Sequence, residues 1–175
     1  MSARTTSVLQ AAWVVPSIPK AAKAWTETTG IGPFFLAPDL KIDTITYRGK
    51  KSSTHFSVAI AQAGGVQIEL IEQHCDSPSA YRDLVAKGER GFHHIAFYCD
   101  DYDADYRAYA ARGFVPAIEG TFGGMRFSYF DTSAEIGCMV ELIEQNPVQA
   151  AFFDKIRKGA EDWDGVTDPL RPGFP

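Results

Sequence analysis

A five-residue string occurs twice in this chain. Residues 69–73 read Glu-Leu-Ile-Glu-Gln, and residues 141–145 read the same. An apolar residue precedes each copy, Ile68 in the first and Val140 in the second. The copies stand 72 residues apart, too far for a solenoid repeat and suited to half a domain. The chain of 175 residues therefore reads as two similar modules, each closing on a strand that carries a glutamate.

The pattern between the copies supports a shared grammar. Residues 8–15 (VLQAAWVV) form an apolar run interrupted only by Gln10 and ended by Pro16, which reads as a buried strand. Ser17 then offers an N-cap, with Pro19 in the first turn of a helix that runs to about Thr28 and stops at Gly30. Two strands are expected around Ile42–Arg48 and His55–Gln62, joined by the polar turn at 49–53, and Gly64-Gly65 turns into the first glutamate strand. Residues 74–90 are polar and predict a short connecting helix. A strand at Phe92–Cys99 follows, then a helix capped by an aspartate at 100–103 and closed by Gly113. Phe114–Ile118 continues as strand or loop, and strands at Met125–Asp131 and Cys138–Gln145 complete the second half, so both modules read β-α-β-β-β. Module one spans 7–73, the connector 74–90 and module two 91–146, giving one domain over 1–146. The tail, 147–175, predicts a helix over Val148–Lys158 with Phe152, Phe153 and Ile156 on one stripe. Beyond Glu161 it is rich in Gly and Pro, with Trp163, Leu170 and Phe174 as anchors.

Charge narrows the class. A net charge of −5 with no basic run argues against a nucleic-acid surface, and no apolar stretch reaches the roughly 20 residues of a membrane span. The first residues lack the apolar core of a signal peptide, so a cytoplasmic location is expected. Cys75, Cys99 and Cys138 are an odd number without CxxC spacing and read as reduced thiols.

Four polar residues hold matching places in the modules. Gln10 and His94 lie in the first strands, Glu69 and Glu141 in the last. A pseudo-twofold axis would bring them to one centre with three oxygens and one nitrogen. That set suits a divalent zinc, nickel, cobalt or manganese ion, and fits iron less well because it lacks two histidines and a carboxylate. Glu72 and Glu144, three positions along each strand, point to the opposite face and read as structural.

The run Gly91-Phe92-His93-His94-Ile95-Ala96-Phe97, followed by Asp100-Asp101 and a helix ending at Gly113-Phe114, resembles the vicinal oxygen chelate proteins. These comprise glyoxalase I, methylmalonyl-CoA epimerase, extradiol dioxygenases and bleomycin-resistance proteins. The resemblance covers roughly residues 7–146 and is closest in pattern to the epimerase-like branch. It implies an α+β fold in which paired β-α-β-β-β modules form a cupped half-barrel of mixed sheet, followed here by the helical and extended tail. It places the family's metal ligands on Gln10, Glu69, His94 and Glu141. The second glutamate base of the epimerase branch would fall near Ser53, where residues 48–60 hold no carboxylate and His55 is the titratable candidate nearby.

The chemistry expected of such a site is proton abstraction beside a carbonyl, with the metal as Lewis acid stabilising an enediolate. Glu141 is the candidate for moving the proton, and His55, Arg126 and Tyr47 are candidates for the mouth, Arg126 for a substrate carboxylate or phosphate. A lyase or an isomerase or epimerase acting on a small carbonyl or thioester substrate is the reading preferred, in a homodimer. An extradiol-type dioxygenase is disfavoured by Gln10 in place of a histidine. A metal-free binding protein is disfavoured by the retention of all four donors.

Overall fold

The computed structural model describes residues 7–173. Its first half runs β1 (Val8–Val14), α1 (Ile18–Thr29), β2 (Phe34–Ala37), β3 (Thr44–Tyr47), β4 (Lys50–Lys51), β5 (Phe56–Ala63) and β6 (Val66–Gln73). The short helix α2 (Ala80–Leu84) leads to β7 (Gly91–Cys99), α3 (Tyr102–Ala110), β8 (Pro116–Phe122), β9 (Met125–Phe130), the single turn α4 (Ser133–Ile136) and β10 (Met139–Glu144). α5 (Pro147–Glu161) and β11 (Leu170–Pro172) follow.

All the strands join one curled mixed sheet in the order β11-β2-β5-β6-β1-β7-β10-β9-β8-β3-β4. Its centre is the antiparallel pair β1 and β7. On either side, the first strand of a module pairs in parallel with its last, β1 with β6 and β7 with β10. The registers repeat as well. Gln10 stands opposite Gln67 and Ala12 opposite Glu69, while His94 stands opposite Met139 and Ala96 opposite Glu141. Gln10 and His94 are therefore equivalent positions, as are Glu69 and Glu141, about an axis passing between β1 and β7.

Helices cover the outer face. Ile18 and Ala22 of α1 pack on Phe34, Ala59, Ile68 and Leu70, and Tyr102 of α3 packs with Phe130, Val140 and Leu142. Ser17 makes no side-chain cap on α1. The cap comes from the repeat instead, because the Glu72 carboxylate accepts the Ile18 N–H at 2.7 Å. In α3 the expected capping holds, with Asp101 accepting the Ala104 N–H at 2.9 Å.

Module one departs from the expected hairpin. The partner of β5 on its outer side is β2, not the segment at 42–48. Phe34 and Phe35 are both buried, one under α1 and the other under α5, so this strand has two apolar faces. By contrast β3 alternates Thr44 and Thr46 with Ile45 and Tyr47 and suits an edge. It crosses to module two and pairs with β8, carrying β4 on its outer side through a tight turn at Arg48-Gly49, both at positive φ. The crossing segment 38–43 is tied by Leu40 N–H to Phe56 O and Asp43 N–H to Thr121 O, so it bridges the rim of the cup.

The tail closes the inner side. Phe153 and Ile156 of α5 pack on Phe35 and Ile60. Gly159 lies so near the Phe35 ring that an added Cβ would meet it at 2.6 Å. Trp163 sits against Gly32, and Leu170 enters the sheet in β11, parallel to β2. Phe174 lies outside the described residues. The cysteines are all free thiols, Cys99 and Cys138 buried. Among the described residues no helix is long and apolar enough to cross a membrane.

Candidate metal centre and substrate pocket

The inner faces of the central strands bring Gln10, Glu69, His94 and Glu141 together, each buried. His94 Nε2 stands 3.4 Å from Glu69 Oε2 and 3.2 Å from Glu141 Oε2. Among the described residues neither His94 Nε2 nor Glu69 Oε2 has a hydrogen-bond partner, although both are buried. Orphaned buried polar atoms are costly, and a shared cation is one way to satisfy both. The separations also approach the edge of about 3.4 Å between neighbouring donors that each lie about 2.1 Å from a four-coordinate ion. Among the described residues no three His, Cys, Asp or Glu side chains form a ready-made metal cluster. The donor chemistry, one nitrogen and facing carboxylates, nevertheless fits a borderline divalent ion. Gln10 reaches the same pocket, and its amide Nε2–H donates to Gln67 Oε1 at 3.0 Å. That bond leaves the Gln10 carbonyl oxygen as the atom able to act as a ligand.

The hydrogen-bond chain behind His94 fixes its orientation. His93 Nε2 lies 3.0 Å from the Ala80 carbonyl, and His93 Nδ1 lies 2.9 Å from His94 Nδ1. Burial, aided by the neighbouring His94 charge, lowers His93 to about 3, so it is neutral. A carbonyl only accepts, so His93 carries its proton on Nε2 and presents a bare Nδ1. The proton between the rings then belongs to His94 Nδ1, and His94 Nε2 is the nitrogen turned toward the carboxylates. Burial opposes charge on His94, but Glu141 and Glu69 outweigh it and lift the imidazole to about 9. Burial likewise pushes the Glu141 carboxyl up, against the opposing pull of His94. Tyr129 stacks on His94 at 4.6 Å between ring centroids, and burial raises its phenol far above the ordinary range.

Beside this centre lies a narrow cavity of about 80 Å³. Its walls are mostly apolar, with Leu40 and Ile42 from the rim segment, Phe127 and Tyr129 from β9, and Phe152 and Phe153 from α5. Tyr81, Tyr129, Gln67 and Gln149 were not among the expected site residues. Strand alternation carried the signal for two of them, since Tyr129 shares a face with Phe127 and Gln67 shares one with Glu69.

Three expected mouth residues lie elsewhere. Arg126 is one position out of phase with Phe127 and Tyr129, so it faces outward. There it binds Glu144 at 2.6 Å and Asp103 at 2.8 Å and lies over the Tyr102 ring. His55 is half-exposed beside Asp39 at 2.7 Å and does not line the pocket. The Tyr47 hydroxyl donates to Asp83 on the surface. The exposed His74 ring bonds the Ser57 hydroxyl at 2.7 Å. Glu72 and Glu144 are structural as expected, one capping α1 and the other holding Arg126.

Residues 9–130 match the family model of the Glyoxalase/Bleomycin resistance protein/Dioxygenase superfamily. The chain belongs to that superfamily. No curated protein matches it in sequence. Among solved structures, a hypothetical protein from Bacillus halodurans is similar, with a TM-score of 0.61 at 17% identity, covering 82% of this chain and 96% of the other. Methylmalonyl-CoA epimerase from Mycobacterium tuberculosis gives 0.57 at 16% identity, over 86% of this chain and 96% of its own. A Streptomyces coelicolor methylmalonyl-CoA epimerase variant, in complex with 2-nitronate-propionyl-CoA, gives 0.54 at 18%, over 82% and 96%. At these identities the likeness is one of fold. The superfamily member described here thus shares the cupped sheet of those epimerases, and its α5 and β11 lie beyond residues 9–130.

Proposed function

We propose that this superfamily member is a metal-dependent lyase or isomerase that moves a proton on the carbon beside a carbonyl or thioester. The observation that carries the reading is the pair of orphaned buried atoms, Glu69 Oε2 and His94 Nε2, 3.4 Å apart where Glu69 and Glu141 line an apolar cavity. Gln10, Glu69, His94 and Glu141 would hold one divalent ion, which supplies Lewis acidity to two neighbouring substrate oxygens. The rest is done by the chain. The cavity walls exclude water and present the substrate carbon to the carboxylates. Glu141 is the proton carrier, because burial raises its carboxyl toward the range in which a base can both take and return a proton. Tyr129 braces His94 from one side and His93 from the other, so the imidazole is preset and need not reorganise.

The fold likeness to epimerases that act on or bind acyl-CoA makes acyl thioesters a reasonable first substrate group, together with hemithioacetals and α-hydroxy ketones. The test is solvent deuterium exchange. Metal-supplemented protein should incorporate deuterium at the α-carbon of a turned-over compound, and Glu141→Gln should slow that exchange on the order of 100-fold or more. Exchange that survives Glu141→Gln at full rate would remove Glu141 from the role.

A further inference from the structure

The walls of the pocket say more about the substrate than its floor does. Besides Glu69 and Glu141, the polar side chains on the cavity surface are two amides, Gln10 and Gln149, and two buried phenols, Tyr81 and Tyr129. Among the described residues, no lysine, arginine or histidine lines it. The nearest basic candidates are committed elsewhere. Arg126 faces outward onto Glu144 and Asp103, and Lys41, between Leu40 and Ile42 on the rim, is exposed to solvent. A dication held by Glu69 and Glu141 would have its charge balanced by those two carboxylates, leaving nothing to offset a further anion.

We propose that the pocket accepts an uncharged, apolar acyl or aryl group, and excludes substrates with a carboxylate or phosphate near the reacting carbon. Burying an anion among Leu40, Ile42, Phe127 and Phe152, with two carboxylates at one end, costs far more than burying a hydrocarbon of the same size. An anionic carrier beyond the mouth is still allowed, because it need not enter. Phe152, Phe153 and Gln149 come from α5, outside the residues 9–130 that match the family model. Phe152 is part of the apolar lining, and Gln149 is the polar side chain that α5 contributes to it. The inference rests on this pocket being the substrate site proposed above.

Two fluorescent probes separate the alternatives without needing the substrate. N-phenyl-1-naphthylamine is neutral, and 1-anilinonaphthalene-8-sulfonate carries the same rings with one anionic group. The full-length protein should bind the neutral probe at least about tenfold more tightly than the sulfonate, as expected when an unpaired charge must be desolvated. Gln149→Arg supplies the missing cation from a half-exposed position. It should raise sulfonate affinity by about fivefold or more while leaving the neutral probe within about twofold. Phe152→Ala should weaken the neutral probe by about fivefold. Equal binding of both probes by the unmodified protein, no binding of either, or indifference of both probes to Gln149→Arg would overturn the proposal. Metal content measured on the same samples keeps the two questions apart. Protein that takes up no divalent ion after supplementation fails the reaction reading, and the probe comparison still decides the character of the pocket.

Discussion

The two adjacent histidines divide one task. His93 never faces the pocket, yet its Nδ1 decides which nitrogen His94 offers to Glu69 and Glu141. His93→Phe keeps the ring contacts with Tyr81 and Tyr129 but strands the His94 Nδ1–H. It should weaken divalent-metal affinity by about 10- to 100-fold, measured by competition with a chromophoric chelator. His93→Asn, whose carbonyl oxygen replaces Nδ1 as acceptor, should recover most of that loss; equal affinity in all three proteins would exclude the relay. A second residue-scale prediction concerns acid. Ser133 and Arg48 hold the Asp131 carboxyl below its ordinary range. A carboxyl depressed in the folded state contributes stability above its unfolded value near 4, and loses it as pH falls through the lower folded value. Asp131→Asn should therefore cost about 1 kcal/mol at pH 7 by denaturant titration, with the gap closing as the pH approaches 2. A gap that stays constant across that range would show that the charge is not responsible.

At the scale of elements, the repeated pentapeptide does two jobs with two glutamates. Strand alternation sends Glu69 and Glu141 inward and Glu72 and Glu144 outward, and this much was legible from spacing alone. The particular outward partners were not, because a carboxylate at a strand end gives no hint of which N–H or guanidinium the fold will deliver to it. Glu72→Ala should remove the cap from α1 and lower stability by about 1 kcal/mol, with the loss of hydrogen-exchange protection concentrated in the first turn after Ile18. Protection lost evenly over the whole chain would place the defect elsewhere. The hairpin was misread for a related reason. Residues 42–48 alternate as a strand should, but alternation does not name a partner, and β3 pairs across the cup with β8. The short run Phe34–Ala37 has no alternation because both of its faces are covered, and it follows a Gly-Pro pair that reads as loop. Arg126 shows the cost of a one-residue phase error, which moves a side chain from the pocket to the opposite surface. Docking of α5 can be tested at Gly159, where Gly159→Val would drive atoms into the Phe35 ring. The expected loss is about 1–3 kcal/mol, with probe binding in the pocket weakened in parallel.

For the whole molecule, duplication explains why the site exists at all. Two modules related by an axis between β1 and β7 place equivalent strands on either side of it, and polar residues at equivalent positions then meet inside one cup. That architecture was readable from two copies of five residues, the glycine turns and the strand-helix order, because each is local. The walls were not readable. They come from the rim segment at 38–43 and from α5, which reach the pocket only after the sheet has curled, and their contacts join residues far apart in sequence. Family membership rests on residues 9–130, whereas the character of the cavity rests in part on residues beyond them. The central claim is that Glu69, His94 and their partners hold a metal. Metal analysis of the purified protein and of the double variant Glu69→Gln with His94→Ala tests it most directly. The account predicts about one divalent ion per chain in the unmodified protein, and a Tm that rises when the ion is supplied. The double variant should have neither property, while metal content and Tm unchanged by the substitutions would contradict the account.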